Sequence, residues 1–349
     1  MNIPIHKLAC SAMLSLVVVA GTVQSCLAQG PYKVLKTAKV GGDGGFDYVY
    51  ADSDHRNLYI PRSGPSAQIS VFNLDTLSPS GELAKTNAHG AVTDTQTHHS
   101  FATSSPIAMW DSRTLAPIKT IDVKGRPDGI LADSFNHRIY ILSHEAPEVT
   151  VIDAKDGAIL GTIDIGGAPE QAASDGKGLI FIDIEDAASV AVIDAKAMKM
   201  KTTYSLDGKG KTNAGLALDA KNHVLFVACR EPQVMVMLDS NTGKYLADLP
   251  IGRGCDGAGF NPKTGECFSS QGDGTLTVIK ETSPTTFEVV QNVKTMTGAK
   301  TMTIDSKTGH ILLIAAEYGP APANAEPQNG RPRRGALIPG SFSIIEVGK

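Results

Sequence analysis

Apolar residues in this chain fall in short runs, alternate with polar positions, and are broken by Gly, Asp, Asn and Ser. Residues 126–165 show the pattern most clearly. Four strands are predicted there, at 129–132, 138–142, 149–153 and 159–165, each rich in Ile, Val and Tyr with at least partial period-two alternation. Asp133, Ser134 and Asn136 close the first. Asp156-Gly157 joins the last two, where glycine supplies the positive φ of a tight hairpin turn. A four-stranded unit of this size cannot bury its own faces, so the pattern predicts several copies.

The copies are found through Asp133, which opens the turn between the first two strands. Its equivalents are Asp52, Asp94, Asp175, Asp219, Asn261 and Asp305, and the successive steps around the series are 42, 39, 42, 44, 42 and 44 residues. A second series closes the third strand: Asn73, Asp111, Asp153, Asp194, Asp239, Lys280 and Glu346. Two independent series with this period predict an all-β, seven-bladed β-propeller of four-stranded antiparallel blades. The last copy has three strands, at 301–304, 311–315 and 341–347. An orphan strand at 32–40 precedes the first copy. Pairing that N-terminal strand with the last blade closes the ring and removes an open sheet edge.

With these motifs in view, the chain resembles the YVTN-type, or YncE-like, repeats of exported bacterial seven-bladed propellers. Leu58-Tyr59-Ile60, Ile139-Tyr140-Ile141-Leu142 and Leu225-Phe226-Val227 match the second strand of that repeat. Val151-Ile152-Asp153 and Val192-Ile193-Asp194 match its third, and residues 162–169 match its passage into the next blade. Arg62, Ser143, Ile184 and Cys229 stand at or near the place of the family's Asn. The resemblance covers nearly all of the mature chain and implies a scaffold whose members differ widely in function.

The N-terminus adds a targeting signal. His6 and Lys7 precede an apolar run at 8–19, and the small residues before Gln29 suit cleavage after Ala28. Residues 1–28 are thus read as a signal peptide and 29–349 as one propeller domain, periplasmic or secreted. A retained anchor and a lipoprotein on Cys26 are the alternatives. No integral membrane span is expected after signal removal. The chain has 32 Lys and Arg against 36 Asp and Glu, and cleavage removes Lys7 and no acid, a balance unlike the basic surface of a nucleic-acid binder. Cys229, Cys255 and Cys267 remain, and if a disulfide exists Cys229–Cys255 is the pair expected. No Cys/His spacing suggests a metal centre, no cofactor is expected, and the protein is expected to be a monomer.

Candidate chemistry is found by subtracting what repeats. His55, His98, His99, His137, His223 and His310 all follow a repeat anchor, so they are read as serving the turn. His89 and His144 break the pattern and fall on the opposite face. The loops leading into each first strand carry variable polar residues: Asp43, His89, Arg126, Asp128, Glu170, Asn213, Arg253, Asp256 and Lys300. By fold analogy, such loops share one end of the ring with those after each second strand. The expected ligand-binding set is His89, Arg126, Asp128, His144, Glu170, Arg230, Arg253, Asp256, Lys300 and Glu317. Its Arg and Asp residues suit an anionic or zwitterionic ligand, or neutralise one another as a ring of salt bridges. No catalytic residue stands out. Gly41-Gly42-Asp43-Gly44-Gly45 lacks the Lys-Ser/Thr of a phosphate loop, and no G-x-S-x-G element occurs. A Pro/Gly-rich loop at 319–340 interrupts the last blade and is read as a mobile flap, a lid or a docking arm. Trp110 is expected in the core.

The sequence therefore supports an exported binding or scaffold protein for an unknown small molecule or protein partner. A lactonase-like hydrolase using His89, Arg126, Asp128, His144 and Glu317 is the alternative. A single-stranded nucleic-acid binder and a redox-complex subunit have less in the sequence to support them.

Overall fold

The computed structural model describes Met1, residues 30–320 and residues 335–349; the expected signal peptide and the body of the 319–340 loop lie outside the described residues. Seven antiparallel sheets are present. The third blade shows the plan, with strands Pro127–Asp133, Arg138–Ser143, Val149–Asp153 and Ile159–Ile163 paired in chain order. In the first blade the inner strand is broken, and Gly45–Phe46 and Tyr50–Asp52 pair separately with Asn57–Ser63. Every expected turn anchor lies at the end of an inner strand or directly after it.

Each of the seven hydrophobic clusters straddles two neighbouring blades. Tyr140, Leu142 and Val151 of the third blade meet Ile180, Ile182 and Ala191 of the fourth, for example. Trp110 is fully buried between the first and second blades, edge-on to Tyr59 at 5.5 Å. Burial on both sheet faces explains why the second strands read as unbroken apolar runs.

Closure is as expected. Lys33–Lys39 pairs antiparallel with Ser343–Gly348 of the last blade. Tyr32 locks its start: it is 4% exposed, packs edge-on to Phe268 at 5.3 Å, and donates to Glu266 at 2.6 Å. The Gln291 side chain accepts from the Tyr32 amide at 3.0 Å and donates to its carbonyl at 2.7 Å.

Three of the recurring histidines, His98, His137 and His223, have a backbone explanation. Arg56, His98, His137 and His223 each stand four residues after an anchor with φ near +55°, and Gly265 and Gly309 hold the same place in later blades. The His98, His137, Gly265 and Gly309 amides donate to the anchor carbonyls. The imidazoles then stitch elements together: His137 Nδ1 lies 2.9 Å from Asp94 of the preceding blade, and His310 Nδ1 lies 2.7 Å from Glu346. Cys229, Cys255 and Cys267 are all free and buried, so the Cys229–Cys255 disulfide is not formed. Burial pushes the Cys255 thiol up to about 12.

One group at the turn end sets a pH dependence. Glu281 is 7% exposed; its Oε1 accepts from Asn222 at 2.8 Å, and its Oε2 has no hydrogen-bond partner. Burial, and then the neighbouring Asp219 carboxylate, push its pKa from 4.5 to about 7. A carboxyl raised on folding stabilises most below its unfolded value and loses that contribution as pH rises through its folded one. Glu281→Gln is therefore expected to flatten the loss between pH 4.5 and 7.5 and to raise stability at pH 8 by about 2–3 kcal/mol. Urea denaturation at pH 5 and pH 8 checks this; an equal change at both values would contradict it.

Candidate functional site

The register of the blades places one residue of each at the same end of the axis. Five positions before the seven anchors stand Asp47, His89, Asp128, Glu170, Ala214, Asp256 and Lys300. The glycine after Asp128 is required by this crowding, because a Cβ on Gly129 would come within 2.5 Å of the Glu170 carbonyl oxygen. Two further members come from the ends of second strands: His144 just after Arg138–Ser143, and Arg230 within Val224–Glu231. Arg230 completes the ring in the fifth blade, where the lead-in position is Ala214.

These side chains form a closed circuit in which basic and acidic groups alternate. Lys300 lies 3.4 Å from Asp47, whose Oδ2 is 3.0 Å from His89 Nδ1. The same nitrogen is 3.0 Å from Asp128 Oδ1, and Asp128 Oδ2 is 3.1 Å from His144 Nε2. His144 Nε2 is 3.3 Å from Glu170, and Glu170 is 3.8 Å from Arg230. Arg230 pairs with Asp256, and Asp256 pairs with Lys300, which closes the circuit. Glu185 also pairs with Arg230. Outside the circuit, Arg126 donates to His144 Nδ1 at 2.9 Å and lies 3.8 Å from the exposed Glu145. Below it, an axial cavity of about 280 Å³ is lined by Tyr48, Gln171, Ala258, Met302 and their neighbours. Gln171 spans that cavity, accepting from the amides of Leu216 and Ala258 and donating to the Ala258 carbonyl.

The electrostatics follow from this packing. Burial raises Asp128, with the Asp47 charge adding to it, and burial pushes Glu170 up to about 7 against the opposing pull of His144. Burial also acts upward on Asp47, but His89 and Lys300 outweigh it and hold that carboxyl low. His89 is raised by its bond to Asp47, and His144 by Glu170. Asp183, beneath the ring, is fully buried and raised well above the carboxylate range. Among the described residues, Asp47, Asp128, Glu145, Glu170, Glu185 and Asp256 face only three permanent cations, Arg126, Arg230 and Lys300.

Of the expected set, His89, Arg126, Asp128, His144, Glu170, Arg230, Asp256 and Lys300 come together. Arg253 does not: its side chain is exposed, and only its backbone is held, by Asp273. Glu317 is exposed at the neck of the last-blade loop, where its amide donates to Ser341. Asp43 is exposed, and Asn213 is buried against the Ser189 carbonyl. Sequence reasoning missed Asp47 and Glu185. Counting five back from Asp52 would have found Asp47; the glycine-rich loop drew the eye to Asp43 instead.

No protein-family model and no curated protein matches the chain. Among solved structures, U3-55K has a TM-score of 0.71 over 90% of this chain and 98% of its own, at 10% identity. The WD40 repeats of RRP9 have a TM-score of 0.71 over 91% and 97%, also at 10% identity. At that identity the likeness is one of fold. The chain is a seven-bladed β-propeller of the same architecture as WD40 rings.

Proposed function

We propose that this protein is an exported binding propeller whose ligand sits on the polar ring at the axial mouth. The observation that carries this reading is the convergence of side chains from all seven blades on one end of the axis. The leader-like N-terminus and the YVTN-type repeats support export. The acid excess favours a cationic ligand, or a zwitterionic one held by its amine, over the simple anion that two arginines would suit, because Arg253 stands apart. A partner protein on the same rim is compatible with the fold.

A thermal-shift screen of the mature chain against amines, amino acids, organic acids, lactones, peptides and short oligonucleotides tests the reading. A ligand at about 100 times its Kd stabilises by roughly 2.7 kcal/mol, enough to register as a shift. The hit is expected to be a cation or zwitterion and to be lost on Glu170→Gln. A hit that survives Glu170→Gln would place the ligand elsewhere. A second reading, a lactonase-like hydrolase, rests on His144 lying between Arg126 and Asp128. Lactone turnover abolished by His144→Ala would support it.

A further inference from the structure

We infer that the ring holds a divalent transition-metal ion on Asp128, His144 and Glu170. This deepens the binding reading above and rests on it.

Three observations carry the inference. First, the donor set is right: one imidazole and two carboxylates suit zinc, manganese, cobalt or nickel better than the all-oxygen ions calcium and magnesium. The three ligand atoms lie within 4.8 Å of one another. The separations to His144 Nε2 are 3.1 and 3.3 Å, and donors sharing an ion with bonds near 2.1 Å stand about 3.0–3.4 Å apart.

Second, two carboxylates crowd one ring nitrogen, more than its single N–H can serve. His144 Nε2 is sealed from solvent and makes no aligned hydrogen bond, although two carboxylates flank it. Asp128, itself 6% exposed, presents Oδ2 to that nitrogen and Oδ1 to His89. The neighbouring group of Asp47, His89 and Asp128 has similar spacing, but there His89 Nδ1 is already hydrogen-bonded to Asp47. The third observation is charge. Around the alternating circuit, Lys300 and Arg230 hold two basic positions and imidazoles the other two. Four carboxylates thus stand against two permanent cations, and a divalent ion between Asp128 and Glu170 adds positive charge on a stretch of the circuit that carries only imidazole.

Three protein ligands leave coordination positions open toward the mouth for water or a ligand donor. Capture also requires a change at the far side of the ring nitrogen. Arg126 now donates to His144 Nδ1, so Nδ1 accepts and Nε2 carries the proton. Metal on Nε2 moves the remaining proton to Nδ1, and Arg126, whose side chain is 55% exposed, turns away.

The test is isothermal titration of the chelator-stripped mature chain with ZnCl2, CoCl2 and MnCl2, with MgCl2 and CaCl2 as controls and cobalt d–d absorption as a spectroscopic reading. One equivalent is expected, with visible cobalt bands, and binding at least about tenfold weaker in Asp128→Asn and His144→Ala. Circular dichroism confirms that the variants fold, and Glu170→Gln supplies a third variant should Asp128→Asn not fold. His98→Ala, at the opposite end, controls for stray histidine sites and should bind as wild type. Arg126→Ala should bind metal at least as tightly as wild type. No transition-metal binding at 1 mM, or binding that survives both His144→Ala and Glu170→Gln, overturns the inference. An organic hit that is insensitive to chelator and lost on Glu170→Gln would overturn the metal while leaving the funnel as the binding site.

Discussion

A chain lacking residues 30–40 is expected to unfold at a temperature roughly 5–10 °C below that of the intact protein, and to aggregate on storage. Nearly all side chains of Lys33–Lys39 are exposed, so the strand contributes chiefly its ladder to Ser343–Gly348. Six paired positions at about 0.5 kcal/mol per net hydrogen bond, as suits a solvent-exposed edge, together with loss of the buried Tyr32 ring at about 2–3 kcal/mol, give a destabilisation on the order of 5 kcal/mol. In a domain of this size each kcal/mol shifts Tm by roughly 1–2 °C, somewhat less than in smaller domains. The shortened chain also leaves Ser343–Gly348 as an unpaired edge, open to pairing with another copy. A synthetic peptide of residues 30–40 should restore part of the loss. Tyr32→Ala alone should cost about 3 kcal/mol, because it releases the Phe268 contact and the hydroxyl's bond to Glu266 while the ladder and the Gln291 clamp on the backbone remain. Differential scanning calorimetry of the three proteins checks the set. An unchanged Tm on deletion would mean that the ring does not depend on this closure.

The fold was legible because its determinants are local and repeated. An Asp or Asn anchor and a two-faced apolar strand recur in each copy, with a left-handed fourth residue in six of the seven, and counting the anchors gives the blade number and the missing strand. Most of the site was legible too: His89 and His144 stood out because they broke the repeat, and the variable lead-in positions gave Asp128, Glu170, Asp256 and Lys300. What the sequence could not show is which charges meet across the axis. Arg126-Pro127-Asp128-Gly129 and Arg253-Gly254-Cys255-Asp256-Gly257 look alike on paper. Their aspartates both enter the ring, while Arg253 stays outside it and Arg126 reaches only its outer edge. The reason is register. The residue five before the anchor starts the inner strand and faces the axis, whereas the residue two or three earlier still lies on the loop above it. Metal-ligand spacing was equally invisible, since Asp128, His144 and Glu170 are separated by 16 and 26 residues and meet only because consecutive blades stack.

Arg230→Met is expected to be the most damaging single change in the ring. The guanidinium side chain is 12% exposed, pairs with Glu185 and Asp256, lies 3.8 Å from Glu170, and donates through Nε to the Cys255 carbonyl at 2.9 Å. Burial acts to lower its pKa, but those carboxylates outweigh it and raise it further, so it stays charged throughout. Methionine keeps much of the volume and none of the charge, leaving three carboxylates facing one another in a site shielded from water. Removing one partner of a buried ion pair typically costs about 3–5 kcal/mol, most of it the uncompensated charge. The sign of the pH dependence follows. Without Arg230 the repulsion that Asp256 and Glu185 exert on buried Glu170 loses its nearby counter-charge, and the Glu170 carboxyl, held at about 7 in the intact protein, rises further. A carboxyl raised on folding contributes stability at low pH that is lost as pH rises through its folded value. The gap between variant and wild type should therefore be small at pH 5 and widest at pH 8, measured by urea denaturation with chelator present. Adding Glu185→Gln and Asp256→Asn to Arg230→Met should recover at least about half of the loss, because isosteric amides remove the repulsion without opening a cavity. A pH-independent deficit that the amides fail to relieve would mean that Arg230 acts through packing and its bond to Cys255, and that the alternating circuit is not what holds the mouth together.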